Sequence, residues 1–196
     1  MTADGNVAGA TGQTWCGTIR AADDTSATVS PGLPTQGPGD PPVRSTTKTF
    51  DGVPLDVNFA LPATGSAPYP VVGVFHGWGQ SKFSFKAMQG WLDQGYAVYS
   101  LSQRGWGESC ASQESRDADP SGCAKGYVHL MDPRYEVRDS QLLLGELVDQ
   151  GLIEPDRIAA VGNSYGGGMS LELAALHNRT MALDGSLGPW RSPAGT

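Results

Sequence analysis

The stretch Arg157-Ile158-Ala159-Ala160-Val161-Gly162-Asn163-Ser164-Tyr165-Gly166-Gly167-Gly168 decides how this chain is read. It opens with a short apolar run of the kind buried on both faces of a parallel sheet. After the glycines, Met169, Leu171, Leu173, Ala174 and Leu176 are apolar at helical spacing up to about Asn178. A serine between strand and helix, with glycine two residues before and two after it, matches a nucleophile elbow. The chain reverses so sharply at such a turn that side chains at both glycine positions would collide. Ser164 is then held clear of the sheet, and the N-terminus of the next helix aims N–H groups at charge developing beside it. Gly167 and Gly168 extend the small stretch, which lets the helix pack closely. The competing reading is a glycine-rich turn around an ordinary serine. A phosphate loop fits less well, because the Lys and Ser/Thr that should follow its glycines are absent.

Working outward, residues 71–75 (Val-Val-Gly-Val-Phe) form another apolar run that stops at His76-Gly77-Trp78-Gly79. A loop in that position supplies the second N–H of an oxyanion hole. The backbone N–H of Trp78 is the expected donor there, and that of Tyr165 the donor at the elbow. The Trp78 side chain is then free to shape the acyl pocket. Residues 82–94 carry Phe83, Met88, Trp91 and Leu92 at helical spacing, closed by Gly95. Residues 96–101 read as a strand running into Arg104-Gly105-Trp106-Gly107, and a polar loop follows. Asp132-Pro133 predicts a helix start, with an N-cap side chain and a proline at the first helical position. That helix places Tyr135, Leu142, Leu143, Leu147 and Val148 on one broad face and closes at Gly151. Upstream, residues 46–50 and 53–61, split by Asp51-Gly52, predict a β-hairpin. Strands alternating with helices predict an α/β fold with a doubly wound, mostly parallel sheet.

Residues 1–45 are rich in Gly, Thr, Ala, Asp and Pro and lack periodicity, so an irregular or partly disordered arm is expected, followed by a catalytic domain over 46–196. A net charge of −7 argues against nucleic acid as a partner. No apolar run is long enough for a membrane span. No signal-peptide pattern opens the chain, which makes a cytoplasmic location the default. Cys110 and Cys123, close together in the polar loop, leave a disulfide and a secreted origin open, with Cys16 left over. No His and carboxylate pair has metal-ligand spacing, and no cofactor is expected.

With those residues in hand, the sequence resembles the X-Pro dipeptidyl-peptidase and cocaine-esterase-like branch of the α/β-hydrolases. Ser102-Gln103-Arg104-Gly105-Trp106-Gly107-Glu108-Ser109 is similar to that family's R-G-x-G-x-S strand end, and Gly162-Asn163-Ser164-Tyr165-Gly166-Gly167 to its G-x-S-Y-G-G elbow. Residues 132–139 resemble the helix between them. The resemblance implies hydrolysis of an ester or amide through an acyl-enzyme on Ser164, with a small molecule or peptide as substrate. Cocaine-esterase-type members place a tyrosine hydroxyl in the oxyanion hole; Trp78 stands in that loop here, so only a backbone donor carries over. The family's acid and histidine follow the serine on late loops. His76 is therefore expected to be structural, His129 and His177 are poor candidates for the base, and Asp184 reads as a turn residue. The sheet is accordingly expected to be incomplete at its C-terminal side, with the triad acid and histidine missing from this chain. The alternatives are a non-catalytic binding module or inactive fragment, and acyl transfer to an alcohol other than water.

Overall fold

In the computed structural model, residues 7–8, 14–15, 18–21 and 46–190 are described. Three short strands, β1 (Val7–Ala8), β2 (Thr14–Trp15) and β3 (Thr18–Ala21), fall in the segment expected to be irregular. The rest of that segment, the expected domain boundary at residue 45 included, lies outside the described residues. Next come β4 (Thr46–Lys48), β5 (Pro54–Leu61), β6 (Tyr69–Phe75), α1 (Phe85–Leu92) and β7 (Ala97–Leu101). The polar loop contains two short helices, α2 (Gln113–Ala118) and α3 (Pro120–Cys123). The elements α4 (Glu136–Asp149), β8 (Ile153–Gly162) and α5 (Tyr165–Leu176) follow, then β9 (Arg179–Met181) and β10 (Leu187–Pro189).

The central sheet runs β3-β5-β7-β6-β8, with β4 paired on β5. The pairs β3/β5, β6/β7 and β6/β8 are parallel, while β4/β5 and β5/β7 are antiparallel. Strand alternation sorts the core into two layers. Val71 and Phe75 of β6, with Tyr99 and Leu101 of β7, face α4 and α5. Val72, Val74 and Val98 face Met88 and Leu92 of α1. Helices thus cover both sheet faces, as a doubly wound α/β fold requires.

The hairpin β4/β5 forms about Asp51-Gly52, where Gly52 takes φ +88°. The predicted start of α4 is three residues early. Asp132 turns back onto Arg134, accepting from its N–H at 2.8 Å and its Nε at 2.9 Å, so the helix begins at Glu136. β8 is buried at only one end, because it is the outermost strand of the sheet and pairs with β6 alone among the described residues. The helix α5 is mostly apolar but carries Ser170 and Glu172, and its Leu171 is 69% exposed. No helix among the described residues is long and apolar enough to cross a membrane. Cys110 and Cys123 are joined as a disulfide.

Candidate active site

Ser164 stands where β8 ends and α5 begins, at φ +51° and ψ −120°, a backbone region that non-glycine residues rarely occupy. The glycines around it are sterically required. A Cβ on Gly162 would lie 2.5 Å from the carbonyl carbon of Gly166, and one on Gly166 only 2.2 Å from the carbonyl oxygen of Phe75. Both obstacles are backbone, of α5 for Gly162 and of β6 for Gly166, so a side chain would have to displace a helix or a strand. Gly168 is different, since its Cβ would meet the flexible Met131 Sδ, on a loop rather than on the sheet. The turn leaves Ser164 exposed, while Tyr165 and Gly166 are buried beneath it.

The loop after β6 comes to the same place. A Cβ on Gly77 would lie 3.5 Å from Asn163 Oδ1, and the Trp78 ring packs edge-on against Tyr165 with centroids 5.6 Å apart. Gln80 fixes this loop: its Oε1 accepts from Gly77 N at 3.0 Å, and its own N–H donates to the Gly77 carbonyl. The Trp78 N–H makes no backbone hydrogen bond among the described residues. As the first residue of α5, Tyr165 likewise has no carbonyl one helical turn behind it to accept its N–H. The three residues singled out from sequence, Ser164, Tyr165 and Trp78, are thus brought together at the C-terminal ends of β6 and β8. Trp78 remains 58% exposed.

Sequence reading missed two contributors. Trp106 packs edge-on against Trp78, centroids 4.6 Å apart, and makes the second aromatic wall. Its loop hangs on Arg104, which is fully buried and grips Asp139 through Nε at 2.7 Å and Nη2 at 2.6 Å. Nη1 adds a 2.9 Å bond to Asp51. Burial alone would make the guanidinium easier to deprotonate, but the two carboxylates outweigh it and raise its pKa. The other missed residue is Glu136, whose Oε1 accepts from the Tyr165 hydroxyl at 3.2 Å. Burial raises its pKa, opposed by the His129 N–H it accepts. Nothing local sets Glu136 apart, since it opens α4 among Arg134, Arg138 and Asp139.

The three histidines are accounted for individually. His76 Nε2 accepts from the Gln103 N–H at 2.9 Å and so carries no proton; Nδ1 then donates to the Gly77 carbonyl at 2.8 Å. Burial lowers its pKa, and a neutral ring with both nitrogens engaged is a structural element. His129 stacks on Tyr135 at 3.7 Å, and burial followed by the Arg104 charge lowers its pKa. His177 caps α5 at φ +50°. Among the described residues, none of them hydrogen-bonds Ser164. Asp184 accepts from the Ser186 N–H at 2.9 Å and hydroxyl at 2.7 Å inside the β9/β10 turn. A separate cavity of about 400 Å³ opens between α4, α5 and β8, lined by Phe75, Leu144, Ile158, Leu173, His177 and Trp190 among others. None of Ser164, Tyr165 and Trp78 lines it.

Residues 43–188 match the family model of acetyl xylan esterase. The chain belongs to the acetyl xylan esterase family. The solved structures it resembles are α/β-hydrolases. They include acetyl xylan esterase 1 from Thermoanaerobacterium sp. JW/SL YS485, at 18% identity and TM-score 0.51, covering 76% of this chain and 50% of that one. Porphyromonas gingivalis dipeptidyl peptidase 4 matches at 21% identity and TM-score 0.50, covering 68% of this chain and 18% of that one. A puromycin-hydrolyzing peptidase of Mycobacterium tuberculosis matches at 20% identity and TM-score 0.50, covering 68% and 21%. At these identities the likeness shows the fold. The chain spans half or less of the length of these structures. No curated protein matches the chain. The expected α/β-hydrolase fold and serine-hydrolase family are therefore found, while the matched family model is that of acetyl xylan esterase, not of the X-Pro dipeptidyl peptidases or cocaine esterases.

Proposed function

We propose that this chain carries the nucleophile and the oxyanion donors of a serine esterase that releases small acyl groups, acetyl first among them, from an alcohol such as a sugar hydroxyl. The observation that carries the reading is Ser164 exposed on a strained strand-to-helix turn beside the Trp78 loop. Ser164 Oγ attacks the ester carbonyl, and its proton passes to a general base. The carbonyl oxygen, now an anion, accepts from the N–H groups of Trp78 and Tyr165, which need no reorganisation to receive it. Collapse expels the alcohol, which takes the proton, and leaves an acyl-enzyme on Ser164; water then releases the acid by the same steps in reverse order. The acyl family named by the match supports acetyl as the group transferred. The exposed Trp78 ring and its partner Trp106 form an apolar wall suited to a small acyl group or to the face of a sugar ring.

All three histidines of the chain are described, and none bonds Ser164. The reading assigns the triad histidine and acid to residues outside these, and on that reading external imidazole should substitute for the base. The test is hydrolysis of p-nitrophenyl acetate and of an Xaa-Pro p-nitroanilide with imidazole added, for wild type and Ser164→Ala. Saturable, Ser164-dependent release from the acetate ester supports the reading. Preference for the anilide would favour the X-Pro peptidase reading, which rests on the G-x-S-Y-G-G elbow. No Ser164-dependent turnover of either by folded protein would favour a non-catalytic binding module.

A further inference from the structure

We propose that Glu136 is a positioning residue of the nucleophile elbow, acting through the hydroxyl of Tyr165 on the peptide N–H that follows Ser164. The inference rests on the esterase reading and adds a residue to it. Tyr165 needs only its backbone for oxyanion binding, so a phenol at that position calls for a reason. Its ring is held on three sides, by Trp78 at 5.6 Å, Trp106 at 6.2 Å and His76 at 6.4 Å. Ring packing alone would be satisfied equally by phenylalanine. The hydroxyl adds a fixed end: it donates to Glu136 Oε1 at 3.2 Å and accepts from the Met131 N–H at 3.3 Å. Side chain and N–H belong to one residue at the first turn of α5. Pinning the phenol therefore limits how far that first peptide can rotate.

Glu136 is a costly choice for a mere support. It is fully buried, its Oε1 is shared between Tyr165 and the His129 N–H at 2.5 Å, and its Oε2 has no hydrogen-bond partner among the described residues. A buried carboxylate oxygen left unpaired is expensive. The loop between His129 and Glu136 also carries two consecutive left-handed residues, Leu130 at φ +62° and Met131 at φ +64°. Such backbone is unfavourable for non-glycine residues, and the conformation is what delivers the Met131 N–H to the phenol. Glu136 ties both ends of this arrangement, at His129 and at Tyr165, to the start of α4.

The test is a double-mutant cycle on the full chain with Glu136→Ala, Tyr165→Phe and the pair, plus Glu136→Gln, which keeps an acceptor oxygen. Two readouts are taken: the amide shifts of Ser164, Tyr165 and Gly166 by nitrogen-edited NMR, and the rate of fluorophosphonate labelling with imidazole present. The expectation is that either single change moves the three amides and slows labelling about ten- to hundredfold. The pair should do no more than either alone, and Glu136→Gln should restore most of both signals. Multiplicative effects in the pair, or unmoved amides with only a lowered melting temperature, would reduce Glu136 to a loop support and overturn the proposal. If the wild type is not labelled at all, the esterase reading fails, and the amide cycle still decides whether Glu136 acts on the elbow. Should Glu136→Ala not fold, comparison of Glu136→Gln with Tyr165→Phe carries the same decision.

Discussion

Replacing Arg104 by methionine removes the cation between two carboxylates while keeping most of the side-chain volume. Asp139 is fully buried and would lose its bonds at 2.7 and 2.6 Å, retaining only the hydroxyl of Thr49 at 2.7 Å. Asp51 is 12% exposed at its side chain and would lose its 2.9 Å bond, but can turn to water. Breaking a buried pair on one side costs about 3–5 kcal/mol, because the surviving charge stays desolvated. That is a large share of the roughly 5–15 kcal/mol that stabilises a domain. Burial already raises the pKa of Asp139 against the pull of Arg104, and without the cation only the Thr49 hydroxyl still opposes it appreciably. The folded variant then binds a proton that its unfolded chain releases, so its stability should fall as pH rises above the ordinary carboxylate range. Urea unfolding between pH 4 and 8, followed by tryptophan fluorescence, reads both effects. Adding Asp139→Leu should recover much of the loss and flatten the pH dependence. A single-variant cost under about 1 kcal/mol, with no added pH slope, would refute the claim that this ion pair anchors the Trp106 loop.

Gly166→Ala should destabilise by at least about 1–3 kcal/mol, since its Cβ meets strand backbone at 2.2 Å, whereas Gly167→Ala, at 3.4 Å from the Gly162 carbonyl, should be neutral or stabilising; thermal melts of the two decide it. Glu146, 4% exposed, has its pKa raised to about 7 by burial and then by Asp149. Its folded state holds the proton longer than the unfolded chain, so stability should fall by at most about 3 kcal/mol as pH rises from about 4.5 through 7, and Glu146→Gln should remove that slope. Reduction of Cys110–Cys123, 13 residues apart, should cost about 3 kcal/mol by loop entropy, read as a lower urea midpoint in dithiothreitol that Cys123→Ser reproduces without it.

Much of this architecture is written in local pattern. The apolar runs at residues 71–75, 96–101 and 157–161 appear as β6, β7 and the end of β8, and the glycine spacing about Ser164 corresponds to real backbone collisions. The joint placement of Ser164, Tyr165 and Trp78 follows from parallel strands ending on one side of a sheet. What escaped is what depends on neighbours distant in sequence. The Ile158, Ala159, Ala160 and Val161 run reads as doubly buried, but periodicity cannot tell a central strand from an outermost one, and β8 is outermost. Asp132 carries an N-cap side chain, yet Arg134 two residues on captures it, so α4 starts later. Arg104 was legible only as part of a motif; its partners Asp51 and Asp139 lie 53 and 35 residues away. Glu136 met Tyr165 across 29 residues, a pairing that no local pattern announces.

The central claim, that Ser164 is the nucleophile, is tested most directly by fluorophosphonate labelling with and without imidazole, followed by mapping of the modified peptide, in wild type and Ser164→Ala. The account predicts a label on Ser164 that imidazole accelerates and that the alanine variant abolishes. A label elsewhere, an unchanged yield in Ser164→Ala, or no label on folded protein even with imidazole would contradict it.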